Sequence, residues 1–291
     1  MAVYWGLRLL GWLLGVVPLR ISYTLARLGG AAAFYAWRGG RRRCIGNMLH
    51  VSDGDASAAR RLARRSFAYY ATYLVDFLRF ETVTSQELER RIDFDDWQQI
   101  EDARAGQGLV FVTVHFGNWD LAAAHIAQRG LPLAAVVDSF GGRVNELVVE
   151  ARERLGMRVI PADRMGPGIL RALRNNEIVA LLIDVPQPRG GVEVQFFGDT
   201  VVVPDGPARL SLRSGAPIIA GVLPRRGPTS GQFQGEVERV AFAPSGDAEQ
   251  DVRRLTQATM DVLERMVRRH PDQWYIFRSL WLADLQAAEA A

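Results

Sequence analysis

The chain contains no lysine; all 35 of its basic side chains are arginine, against 32 acids. It has a single cysteine, Cys44, which excludes an internal disulfide and the bridge-stapled secreted scaffolds that depend on one. Cys44 follows Arg41-Arg42-Arg43 with no strand–turn setting around it, so it is not read as a nucleophile. No run of ~20 apolar residues exists, the length that a bilayer-spanning helix needs. Within residues 1–37 the longest uncharged stretches are 9–19 and 28–37. Gly-x-Ser-x-Gly is missing as well, which argues against a serine esterase; Ser139, the nearest serine after an apolar strand, lacks the leading glycine. There is no phosphate-binding or dinucleotide glycine fingerprint, and no zinc-finger or RNA-recognition spacing. Nucleic acid is therefore not an expected partner. His115 and His125 stand ten apart with no Cys or carboxylate set at ligand spacing, so no metal is expected.

What is present is an ordinary globular composition, 48% hydrophobic and 23% charged over 291 residues. That length suits one large α/β domain with an added N-terminal element. The net charge of +3 hides an asymmetry. Residues 1–70 hold 11 Arg against Asp53 and Asp55, net +9, and the remainder holds 24 Arg against 30 acids, net −6. Residues 1–37 are strongly apolar yet interrupted by Arg8, Arg20 and Arg27, and divided at Pro18 and Gly29-Gly30. A signal peptide would carry its charges ahead of the apolar core. This pattern instead predicts amphipathic helices lying in a membrane interface, with Trp and Tyr at headgroup level and Arg reaching outward. A single tilted span is the alternative. An anionic membrane surface is the expected partner, attracting each basic charge by roughly 1 kcal/mol. We read residues 1–40 as membrane-association helices and 41–291 as an α/β domain.

Within that domain, residues 56–80 carry apolar side chains at helical spacing. Strands and helices then alternate. Strands are expected at Leu109–Val114, Leu133–Val137, Met157–Ile160, Ile178–Ile183, Ile218–Leu223 and Gln234–Val240, and a hairpin at Val192–Phe197 with Val201–Val203. Helices are expected at Trp119–Gln128, Val144–Leu155, Gly168–Arg174, Ala208–Arg213 and Asp251–Arg269. The alternation predicts a mostly parallel central sheet flanked by helices.

His115 directly follows the first of these strands, and the chain runs on through Phe116-Gly117-Asn118-Trp119 to Asp120 in a helical first turn. In an open α/β sheet, ligands bind beyond the carboxyl ends of the strands. A neutral imidazole there removes a proton from an attacking hydroxyl, worth typically about 10²–10⁴-fold. A carboxylate on its other nitrogen fixes the tautomer and stabilises the imidazolium. We therefore take His115 and Asp120 as the candidate catalytic pair. The backbone N–H groups of Gly117 and Asn118 are the candidate oxyanion donors. The bare His-x4-Asp spacing is weak by itself; with four histidines, about 0.25 matches arise by chance. The chain supplies a second copy, His50 to Asp55, which lies in a polar stretch and is read as a surface turn.

His115-Phe-Gly-Asn-Trp-Asp120 after an apolar strand resembles the signature of the lysophospholipid acyltransferase superfamily. The similarity is closer to the lipid A (lauroyl and myristoyl) and phosphatidylinositol-mannoside acyltransferases. It continues through Arg152-Glu-Arg154-Leu-Gly156, Asp184, Gly191-Val-Glu-Val-Gln-Phe-Phe-Gly198, Gly206 to Pro217, and Pro271-Asp-Gln-Trp274 followed by Trp281. The resemblance implies direct transfer of an acyl group from acyl-CoA or acyl carrier protein, with no other cofactor, to a hydroxyl of a glycolipid of the lipid A precursor type. Phosphatidylinositol-mannoside or lysophospholipid acceptors are the alternatives. It places the enzyme at the cytoplasmic face of the inner membrane. It implies that Asp120 orients His115 and that Arg152 and Arg154 contact a phosphate, which a guanidinium grips by paired hydrogen bonds. Glu193, Asp184 and Asn118 join them as candidate substrate contacts. Many lipid A members have a second acid two residues after the Asp184 position, where this chain has Pro186. A non-catalytic membrane-binding protein is the remaining rival.

Overall fold

Residues Leu109–Thr113 are buried at every position, as a strand covered by helices on both faces must be. The computed structural model describes residues 2–80, 82–137, 143–161, 165–185 and 190–289. Ser139 and Pro186 lie outside that set. In chain order the elements are α1 (Ala2–Val16), α2 (Leu19–Ala36), α3 (Arg38–Val51), α4 (Ala56–Leu78), α5 (Ser85–Arg91), β1 (Ile92–Asp93) and α6 (Trp97–Arg104). The alternating part follows: β2 (Leu109–Thr113), α7 (Trp119–Gln128), β3 (Leu133–Val137), α8 (Arg143–Arg154), β4 (Arg158–Pro161), α9 (Met165–Arg174) and β5 (Ile178–Leu182). Then come the hairpin β6 (Val192–Phe196) and β7 (Asp199–Val203), α10 (Gly206–Ser214), β8 (Ile218–Val222), β9 (Phe233–Gln234), β10 (Glu236–Arg239), α11 (Ala248–Arg269) and α12 (Leu282–Glu289).

The central sheet has six strands in the order β10-β8-β2-β5-β3-β4, all parallel except β10. This is the mostly parallel, helix-flanked sheet that the alternation implies. Side chains alternate across it with period two. Leu109, Phe111, Leu133 and Ile178 join the cluster beneath α7, and Val110, Val112, Ala134 and Val179 join the cluster with α9 and α11. The expected strand over 234–240 is divided at Gly235, because β9 pairs with β1 and β10 with β8.

Helix α3 forms against its local sequence, in which Gly39-Gly40 and an Arg run suggest no helix. Cys44, Met48 and Val51, spaced four and three apart, are buried and join the main core, and that burial outweighs poor propensity. The boundary expected at residue 40 therefore falls inside a helix. His50 is corrected as well: it is not in a surface turn but in the last turn of α3, stacked on Trp281 at 4.0 Å and hydrogen-bonded to Asp199 at 2.6 Å.

Helix α2 packs Tyr23 and Phe34 inward and lies close enough to α4 that a Cβ at Gly30 would collide with the Phe67 carbonyl. Its opposite face carries Ile21, Leu25 and Leu28, exposed at helical spacing, and α1 exposes Leu9, Trp12, Leu13 and Val16 likewise. A contiguous apolar stripe of this kind marks an interaction surface. No helix of the described residues is long and apolar enough to cross a membrane.

Candidate active site

Strands β2 and β5 are neighbours in register, with Thr113 opposite Leu182. His115 and Asp184 each stand two residues beyond that pair, so the chain ends of both strands deliver their side chains to one level. The His115 Nδ1 lies 2.8 Å from Asp184 Oδ1, and the His115 backbone N–H donates to Asp184 Oδ2 at 2.9 Å. Trp274 Nε1–H donates to the same Oδ2 at 2.9 Å. Asp184 is fully buried while the His115 side chain remains 27% exposed. Burial alone would raise the Asp184 carboxyl; the His115 charge and these donors hold it below the usual carboxylate range. It is thus an ionised acceptor, and the ring nitrogen facing it carries the proton. That leaves Nε2 as the basic atom. Burial would lower the His115 pKa, but the charge and hydrogen bond of Asp184 outweigh it and raise it above 6.5.

The expected partner of the imidazole is therefore replaced. Asp120 makes no hydrogen bond to His115 among the described residues. Its Oδ1 accepts from Arg152 Nε at 3.0 Å and Nη2 at 2.7 Å, and its Oδ2 accepts from Tyr73 Oη at 2.8 Å. Both oxygens are occupied, and α7 aims the carboxylate at α4 and α8. Asp184 moves from candidate substrate contact to the group on the imidazole.

The turn between His115 and Asp120 is fixed by backbone pairing. The Gly117 N–H donates to the Gln273 carbonyl at 2.9 Å and the Asn118 N–H to the Leu223 carbonyl at 3.0 Å. Neither is free to serve as an oxyanion donor, so that expectation fails. Gly117 has φ of +60°, and a Cβ there would collide with the Leu223 carbonyl, which requires glycine. Asn118 is buried and is no substrate contact: Oδ1 caps α7 by accepting from the Leu121 N–H at 3.0 Å, and Nδ2 donates to Asp76 at 3.2 Å. Residues 273–275 close the site from the other side. Phe116 bridges Trp274, and the Tyr275 N–H donates to the His115 carbonyl at 2.7 Å.

Two further candidates stand elsewhere. Arg154 lies two residues from Arg152, hence across the helix, and donates to the Phe80 carbonyl. Glu193 is on the exposed face of β6, whose Val192, Val194 and Phe196 point inward. Tyr73 and the Trp274 N–H carry roles that no local pattern assigns, although Trp274 closes the Pro271-Asp-Gln-Trp274 motif.

Trp119 packs edge-on against His115 at 5.2 Å and face-on against Tyr73 at 4.2 Å. Behind Trp119 and Asp120 a cavity of about 60 Å³ extends between sheet and α7. Phe111, Ala135, Ala180 and Gly221 form its floor, and Ala122, Ala123 and Ile126 its roof. Small residues on both sides make the room. Apart from Asp120, Arg152 and Thr113 at the near end, the lining is apolar.

A base paired with a buried carboxylate, with an apolar cavity behind the adjoining Trp119, suits proton abstraction from a hydroxyl next to a fatty chain. The chain belongs to the bacterial lipid A biosynthesis acyltransferase family, whose model matches residues 1–283, and it is an acyltransferase. It is 30% identical over 270 residues to the phosphatidylinositol mannoside acyltransferase of Mycobacterium tuberculosis, covering 89% of this chain and 83% of that one. The protein of the same name from Mycolicibacterium smegmatis is 30% identical over 265 residues, covering 88% and 84%.

Proposed function

We propose that the protein moves a fatty acyl group from a thioester of CoA or carrier protein to a sugar hydroxyl of a phosphoinositide glycolipid at a membrane surface. The family and the names of its relatives support a glycolipid acceptor, and the relatives favour the mannosylated phosphoinositide over a lipid A precursor. The observation that carries the mechanism is the His115–Asp184 pair at adjacent strand ends, with Trp119 between the imidazole and an apolar cavity. His115 Nε2 takes the proton of the acceptor hydroxyl as the oxygen attacks the thioester carbonyl. Asp184 holds the ring and stabilises the imidazolium. Asp120 occupies one edge of the Arg152 guanidinium and presents the rest to an anionic group near the reaction. The outward apolar faces of α1 and α2 seat the enzyme on the cytoplasmic leaflet of the inner membrane.

The base must be neutral to act. Because its pKa is raised above 6.5, kcat/KM is expected to be low in mild acid and to rise as pH passes through that raised value. A rate measured with a lipid acceptor and a thioester donor between pH 5 and 9 checks this; a flat profile across that range removes His115 from the role of base. The cavity makes a second prediction. Ala123→Leu adds three carbon atoms to the roof, enough to close a cavity of about 60 Å³, and is expected to shift the donor preference toward shorter acyl chains, with little change for the shortest. Competition among thioesters of graded length, read by mass spectrometry of the product lipid, tests it. An unchanged preference would place the acyl chain elsewhere.

A further inference from the structure

The first turns of α3 present Arg38, Arg41, Arg42 and Arg43 within six residues. Arg38, Arg41, Arg42 and Ile45 line an open groove of about 400 Å³. No acid occupies the first turn, and the Trp37 side chain supplies no cap. Among the described residues, Arg38 and Arg42 make no ion pair. Arg41 donates only to backbone, the carbonyls of Tyr35 at 3.3 Å and Phe34 at 3.5 Å. The charges repel one another and also oppose the positive end of the helix dipole, where acids are favoured. The core does not require Arg38 or Arg42, because both are exposed and α3 is anchored through Cys44, Met48 and Val51.

We infer that this groove is a binding site for the phosphate of the lipid acceptor. Several guanidinium forks converging on one space match a group with several charged oxygens better than a single carboxylate. The groove adjoins Tyr35 and Trp37, which are exposed at the end of α2 and continue its outward apolar stripe. A ligand bound here thus has its charge in the groove at the level where its lipid tails would meet that stripe. The groove is also tied to the reaction centre. Arg43 Nε donates to the Phe277 carbonyl at 2.8 Å, and Asn47 Nδ2 to the carbonyls of Ile276 at 3.1 Å and Arg278 at 2.8 Å. Two residues back, the Tyr275 N–H holds the His115 carbonyl. Groove and imidazole are thus joined through one short segment, residues 275–278. The groove would then hold the phosphate anchor while His115 meets a hydroxyl of the sugars carried on it. This rests on the reading of His115 as base toward a lipid hydroxyl, and it adds where the acceptor is gripped.

The test uses the full chain and the double variant Arg38→Gln/Arg42→Gln, both side chains being exposed and outside the core. Calorimetric titration with a soluble deacylated headgroup, a glycerophospho-glycoside, is expected to show at least roughly tenfold weaker binding in the variant, the worth of one or two charged hydrogen bonds. In neutral detergent micelles the acceptor KM is expected to rise by a similar factor, with kcat and the donor KM unchanged. Headgroup affinity that is absent from the wild type, or equal in the two proteins, overturns the inference. So does a rise confined to the donor KM, which would assign the groove to the thioester. Weaker binding to anionic vesicles with unchanged headgroup affinity overturns it too, leaving only bulk membrane charge. If neither protein transfers acyl groups while headgroup binding still falls in the variant, the base assignment fails and the groove stands.

Discussion

Asp184→Asn is expected to lower acyl transfer by about 10³-fold or more while the protein stays folded. The reason lies in which atoms its partners demand. The His115 and Trp274 N–H groups both point at the Oδ2 position. An asparagine therefore places its oxygen there and its NH₂ where Oδ1 stood, facing the imidazole. The ring nitrogen on that side becomes an acceptor, the proton moves to Nε2, and the basic atom is lost. Removal of the charge also leaves burial as the main influence on His115, so its pKa drops below 6.5. Rates across pH, with circular dichroism to confirm folding, measure both effects. Asp120→Asn serves as the comparison: it loosens Arg152 and Tyr73 and moves the inflection less. If Asp120→Asn proves the more damaging and moves the inflection further, the assignment of Asp184 as the imidazole partner is wrong.

Asp76→Asn is expected to give the largest loss of stability. Asp76 is fully buried and pairs with Arg91 at 2.6 Å and with Arg225. Those side chains are 5% and 2% exposed. Tyr23 Oη donates at 2.6 Å to Oδ1, the oxygen that Arg91 also meets. Burial would raise the carboxyl, and the two arginines hold it below the ordinary value. Breaking a buried pair strands the remaining charge and costs about 3–5 kcal/mol, and here two cations are stranded by one change. That is a large part of a typical folding stability of about 5–15 kcal/mol. A thermal midpoint lower by roughly 10 °C or more is expected. Tyr23→Phe removes a single hydroxyl and is expected to cost about 1 kcal/mol. Equal melting of Asp76→Asn and wild type would show that the arginines find other partners.

The strands and helices from Leu109 to Leu182 are legible in the sequence because each strand is a short apolar run and each helix has its own period and stop signal. His115 is legible for the same reason: it ends a strand and precedes a glycine turn. Its partner is not. Asp120 is near in sequence, whereas Asp184 is near only because β5 lies beside β2, an order that no local pattern encodes. The oxyanion expectation fails through the same gap, since the acceptors that occupy Gly117 and Asn118 come from Leu223 and Gln273. Helix α3 is hidden by its composition, and its reason for folding lies in tertiary burial of Cys44 and Met48. Arg152 and Arg154 look equivalent as a string; helical geometry separates them.

The segment Gln273–Tyr275 supplies a wall of the reaction centre, yet it is among the last parts of the domain to be synthesised. Helices α1 and α2, with their greasy outer faces, leave the ribosome before it. Any surface that they settle on is met while the imidazole still lacks its tryptophan-held counter-ion. Arrival thus comes before the reaction centre is closed.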